Sequence, residues 1–188
     1  GGVAVSGSGA FTLTIAAAVV ENRIGGSTSA LIDDATVEVT GAIDIDALSG
    51  AFIYGAATGL SFSIAVDSTV SVAGSGAGAS TSNATAGVVE AVIRNSFVHG
   101  GTLTLDAESS NAIYADTTAA TIGASGSGGV AISGGLAVAL ADNTDSSTTQ
   151  AGIDNSRVDS AGSLHAKASS ENTLDVTTTA VSIALSGG

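Results

Sequence analysis

The side chains that could do chemistry are few, and most are carboxylates. Acidic residues pair at Asp33-Asp34, at Asp44 and Asp46, and at Asp106 and Glu108. In an extended strand Asp44 and Asp46 point to one face about 7 Å apart, a separation that a glycosidase could use. A sugar site also wants aromatic rings to stack against the substrate, and the chain has 4 Phe, 2 Tyr and no Trp. The pairs therefore read as a solvated acidic face. His99 and His165 are the only histidines. A general base needs a partner that holds it and a pocket around it, so both read as exposed bystanders. No Gly-x-Ser-x-Gly elbow marks a serine nucleophile. Gly74-Ser-Gly-Ala-Gly78 and the string from Gly123 to Gly129 lack the Lys-[Ser/Thr] of a phosphate-binding loop, and they read as tight turns or close-packed backbone.

Among metals, calcium suits the oxygen-rich side chains best, and the first candidates to hold it are Asp33, Asp34, Asp154 and Asn155. Neither an EF-hand loop nor the Gly-Gly-x-Gly-x-Asp repeat of calcium-binding β-rolls is present. The absence of Cys removes disulfides and thiolate sites. The expectation is a chain with no catalytic residues, no required cofactor and no enzymatic activity.

The elements that carry these residues repeat. Ile32-Asp-Asp-Ala-Thr-Val37 recurs as Ile93-Arg-Asn-Ser-Phe-Val98 and as Ile153-Asp-Asn-Ser-Arg-Val158, at steps of 61 and 60 residues. Asn22, Asn83 and Asn143 precede these segments at the same two steps. Downstream, Gly41 to Ala47, Gly101 to Ala107 and Gly162 to Ala168 alternate apolar and polar residues. Period two places Ile43, Ile45, Leu103, Leu105, Leu164 and Ala166 inward, and Asp44, Asp46, Asp106, His165 and Lys167 toward water. Phe11, Leu13, Ile15 and Val37, Val39 alternate in the same way. Asp34, Asn95 and Asn155 share one repeat position where a turn with positive φ is expected, and Asn22, Asn83 and Asn143 read as further turn positions.

The predicted fold is all-β: a parallel β-helix, or β-solenoid, of about three 60-residue repeats over residues 1–188. The repeat cores lie near 22–47, 83–107 and 143–168. Ala, Ser, Thr and Gly make up well over half the chain, which starves a globular core but suits the narrow prism of stacked coils. At about 20 residues per coil, each repeat would hold roughly three coils and the array would be ~40 to 50 Å long. Two wider coils per repeat are the alternative. Gly1–Ser8, Ala120–Ser127 and Val181–Gly188 look like one motif, so the chain is expected to be a segment of a longer array.

Four basic residues stand against 17 acidic ones, a net charge of -13. Nucleic acid and anionic membranes bind through clustered Lys and Arg, so neither is expected as a partner. The longest apolar run, Phe11 to Val20, is interrupted at Thr12 and Thr14 and stops at Glu21, so membrane insertion is not expected.

The Gly-Ser-Gly segments, the Ile-[Asp/Arg]-[Asp/Asn]-[Ala/Ser]-x-Val element and the Gly-x-[Ile/Leu]-x-[Ile/Leu/Ala]-x-Ala strand run in register through the chain. In this it resembles the repeat regions of very large bacterial surface proteins, among them filamentous haemagglutinin-like and leukotoxin-like adhesins. The resemblance implies a right-handed parallel β-helix, an extracellular or cell-surface location, and a role as stalk, fibre or filament. The expected partners are other copies or neighbouring repeats stacked end to end, together with a host or neighbouring-cell surface. Two other readings are a ligand-binding adhesin module, presenting loops such as Asn22 to Ser29 or Asp142 to Gln150, and, more weakly, a polysaccharide-degrading β-helix enzyme.

Overall fold

With no proline to interrupt a ladder, and with side chains alternating by size, the backbone stays extended for 24 or 25 residues at a stretch. The computed structural model describes residues 1–188 as eleven strands: β1 (Gly2–Ser6), β2 (Ala10–Asp33), β3 (Thr36–Glu38), β4 (Ile43–Asp67), β5 (Val70–Arg94), β6 (Phe97–Gly100), β7 (Leu103–Ser127), β8 (Val130–Asp145), β9 (Thr148–Asp154), β10 (Arg157–Ser160) and β11 (Leu164–Gly187). All pairing between them is parallel. One long sheet runs β1-β4-β7-β11, the other is β2-β5-β8 with β9 continuing along β5, and β10-β6-β3 closes the narrow side between them. The protein is a parallel β-solenoid.

One coil is a long strand, a short strand and a long strand back, so it consumes a whole repeat. Coil 1 is β2-β3-β4, coil 2 is β5-β6-β7, and coil 3 is β8-β9-β10-β11. This replaces the expected two or three narrow coils per repeat. Each long strand spans about 80 Å, while three coils rise only ~14 Å. The Gly, Ser and Asn clusters that read as turns lie inside strands, Gly74–Gly78 within β5 and Asn22–Ser29 within β2. Parallel ladders satisfy their backbone: 104 of 116 main-chain hydrogen bonds fall within strands.

The steps of 61 and 60 have a single origin. Ala10 pairs with Ser71 and Thr36 with Phe97, yet Ile43 pairs with Leu103. The extra residue of coil 1 is thus confined to the turn between β3 and β4. Coil 3 carries its extra residue in the matching turn between β10 and β11, because Arg157 pairs with Phe97 and Leu164 with Leu103. The N-terminal motif sits two residues from its expected alignment: Ser6 pairs with Asp67, which pairs with Ser127. A shift of two preserves which face each side chain occupies.

Where each long strand bends into its short one, Asp34, Asn95 and Asn155 have φ of 50°, 48° and 45°. Only residues that tolerate the left-handed region serve there, and Asn and Asp do so best. Their side chains also link the coils: Asn155 Nδ2 donates to Asn95 Oδ1 at 2.7 Å, and Asn95 Nδ2 to Asp33 Oδ1 at 3.2 Å.

Asn22, Asn83 and Asn143 are not at turns. They lie within β2, β5 and β8 and point inward as a ladder, Asn22 Nδ2 donating to Asn83 Oδ1 and Asn83 Nδ2 to Asn143 Oδ1, both at 2.9 Å. An amide can donate and accept at once, so a column of stacked Asn satisfies itself without leaving the interior.

This ladder divides the interior. On the side of the short strands the core is aliphatic: Ile45, Val89, Ile93, Val98, Leu103 and Leu105 are buried together, with Ile43 packed against them. Leu164 and Ala166 are aligned with Leu103 and Leu105 but are exposed, because coil 3 has a free edge. Beyond the ladder the fully buried apolar residues are all alanines, first Ala57, Ala77, Ala79 and Ala119, then Ala10, Ala65 and Ala73. The two long sheets nearly touch there: a Cβ placed on Gly59 would collide with the Gly78 carbonyl. The large apolar side chains of this half are turned outward. Phe11, Leu13 and Ile15 alternate as the sequence suggests, but Ala10 and Thr12 take the buried positions between them.

Candidate functional site

The residues singled out for catalysis do not converge. His99 lies exposed on β6, aligned between Glu38 and Asp159 of the adjacent coils, in a shallow groove with Val39, Thr40, Gly100, Gly101 and Ala161. His165 is on the outer face of β11, aligned with Thr104 and, through it, Asp44. The two histidines thus stand on different sheets. Asp44 and Asp46 are exposed on the open face of β4, without a cleft around them. Asp46, Asp106 and Lys167 form one column across the three coils.

The calcium candidates are split between coils. Asp33 and Asp34 belong to coil 1 and Asp154 and Asn155 to coil 3, and the register places Arg94 between Asp33 and Asp154. Two strand spacings, about 10 Å, separate the outer pairs. No group of three or more His, Asp or Glu side chains gathers at one point. The segments expected to form ligand-contacting loops are strand as well, apart from a break at Ser146 and Ser147. The break is built around Asp145, which accepts from Ser147 N and Oγ, Thr85 Oγ1 and Asn111 Nδ2. Burial pushes the Asp145 carboxyl up, but these bonds outweigh it and hold it below its ordinary value.

A second carboxylate shapes the turn from coil 1 to coil 2. Asp67 accepts from Thr69 N at 2.6 Å, Thr69 Oγ1 at 2.8 Å, Gly9 N at 2.5 Å and Val70 N at 3.1 Å. The bond from the Thr69 amide leads in lowering its pKa to about 2. The folded pKa lies below the ordinary aspartate value of 3.8, so the stability it contributes is present above about pH 4 and is lost as pH falls toward 2. The melting temperature of Asp67→Asn should therefore fall below that of the wild type near neutrality and converge with it at about pH 2; a constant gap across that window would show that the carboxylate charge has no part in the turn. Ser6 and Ser127 hold the same position in the other coils, accepting from Ser8 N and Gly129 N.

What the fold does present is a pair of open edges. β2 and most of β4 border coil 1 with no strand beyond them, and β8, β9 and β11 border coil 3 in the same way. Each edge offers a row of main-chain N–H and C=O groups long enough to template another strand. On the lower edge this pairing is already visible: β1 joins β4, Gly2 with Ser63 through Ser6 with Asp67, in the register that joins coil to coil. The side-chain columns fit continuation in part. Lys167 on the upper edge would meet an Asp46 equivalent, and Asn143 would extend the ladder to an Asn22 equivalent, whereas Asp154 would face an Asp33 equivalent. These columns follow from the repeat step, and stacked repeats themselves imply end coils whose exposed strand edges can template a further coil.

Comparison with protein-family models, with curated proteins and with solved structures gives no match.

Proposed function

We propose that this chain is a structural solenoid segment that builds a stiff extracellular stalk or filament by stacking coils edge to edge. The observation that carries the reading is β1, five residues of a further coil seated on β4 in the repeat register. The mechanism is association: parallel main-chain pairing along strands of about 80 Å, with small side chains interlocking between sheets. A surface of bacterial cells is the setting that the adhesin resemblance suggests for such an element.

A net charge of -13 opposes stacking, and salt screens it, the Debye length falling from about 10 Å at 0.1 M to about 3 Å at 1 M. Concentrated chain should form fibres, faster at high salt, with strands perpendicular to the fibre axis and a repeat near 4.8 Å along it in X-ray diffraction. Chain that stays monomeric at every salt and protein concentration in electron micrographs would end the stacking proposal.

A further inference from the structure

The charge of this chain lies almost wholly in one half of the slab. Residues 1–20, 47–66, 68–89, 117–141 and 176–188 contain no charged side chain. Within them, the register gathers residues 1–20, 57–66, 68–81, 117–141 and 178–188 at the end remote from the short strands, where Asp67 is the one carboxylate, turned into its own turn. Both outer faces of that half are apolar. On the β2-β5-β8 face, Phe11, Leu13, Ile15 and Val19 flank one side, at 68%, 62%, 79% and 77% exposure, and Leu136 and Leu140 flank the other, at 68% and 61%. Between them β5 contributes Gly74, Gly76 and Gly78. Leu13 and Ile15 lean over the first two glycines, their carbons 3.1 and 3.7 Å from where a Cβ would stand, which flattens the face.

We propose that this face packs against the same face of a second copy of the chain, the two related by a two-fold axis along the stacking direction. Three strands by ten residues give about 500 Å² per copy, or about 1,000 Å² for the pair, which meets the lower bound for a specific interface. Charge selects the arrangement. Laying the copies side by side in the same sense would superpose two acidic halves, whereas the two-fold reverses one copy so that only the uncharged halves overlap. The acidic halves then project in opposite directions, about 40 Å apart and far beyond a Debye length. The axis preserves the sense of stacking in both copies, so paired stacks lengthen together.

The chain has no Cys, so a single introduced thiol reports contact cleanly. Gly76 is central to the face and accepts a Cβ without a clash. Gly76→Cys, treated with a bismaleimide whose reach matches the ~10 Å between packed sheets, should give roughly tenfold more cross-linked dimer than Leu48→Cys on the charged half. Adding Ile15→Lys and Leu136→Lys, both at well-exposed positions, should abolish the product. Coil stacking alone cannot supply it, because Gly76 recurs only every three coils, ~14 Å away. Fibres without the Gly76→Cys cross-link would overturn the face pairing and leave stacking intact. Flotation of the chain with phosphatidylcholine vesicles without cross-linking would assign the face to lipid, and would overturn the pairing equally.

Discussion

Gly59→Val should lower stability by about 3 kcal/mol or more, while Gly78→Val should leave it unchanged or slightly raised. The two glycines are neighbours across the interior but point opposite ways. Gly59 is buried on β4 and faces the opposite sheet, so its added Cβ would enter the carbonyl oxygen of Gly78. Backbone at that position cannot yield without parting the sheets, and the Ala57, Ala77, Ala79 and Ala119 cluster beside it would open as well. A Cβ on Gly78 meets nothing within 4 Å, and valine is a better strand former than glycine. For a chain of this length the loss at Gly59 corresponds to roughly 10 °C in melting temperature. Equal melting of the two variants in thermal circular dichroism would refute the close approach of the sheets.

Asn83→Ala should cost about 3 kcal/mol and exceed Asn22→Ala by roughly twofold. Asn83 is 1% exposed and links both neighbours. Its truncation strips the acceptor from the Asn22 amide and the donor from Asn143 Oδ1, and a buried polar group left unmade costs about 1–3 kcal/mol. Asn22 sits on the outer coil and makes only one such link. Denaturant titrations of the two variants measure the difference, and a larger loss at Asn22 would contradict a ladder centred on coil 2.

Much of this architecture is legible in the residues. The steps between Ile32, Ile93 and Ile153 are the pairing register, and the shared position of Asp34, Asn95 and Asn155 does adopt positive φ. Alternation correctly places Ile45, Leu103 and Leu105 inside. Alternation does not reveal which of its two faces is the inner one. At Ala10 to Ile15 the small residues go in and the large ones out, because the opposing strand, with Ser61, Ser63 and Ala65, lies so close that Thr14 Oγ1 meets Ser61 Oγ at 2.7 Å, which leaves no room for a leucine. That decision is made between strands some 50 residues apart in the chain, where no local pattern can show it. Coil width escapes local reading for a similar reason. Gly and Ser signal turns when their backbone faces water, but a neighbouring coil that pairs every amide makes the same residues good strand. Asn22, Asn83 and Asn143 were open to the same misreading, since an amide that caps a turn equally well stacks upon itself.

The single wide coil also governs how the protein yields to a pull. Sixty residues drawn straight reach ~200 Å, yet in the stack they raise it by only ~4.8 Å. A tether that drew the outermost coil away would break its main-chain bonds one after another along the strand, as a zip opens, rather than shearing them all together. Each coil released would return some fortyfold of its own height as slack. Anchored at one end and loaded at the other, a stack of such coils would behave as a spool, short at rest and able to absorb a sudden load by paying out chain while the remaining coils stay wound.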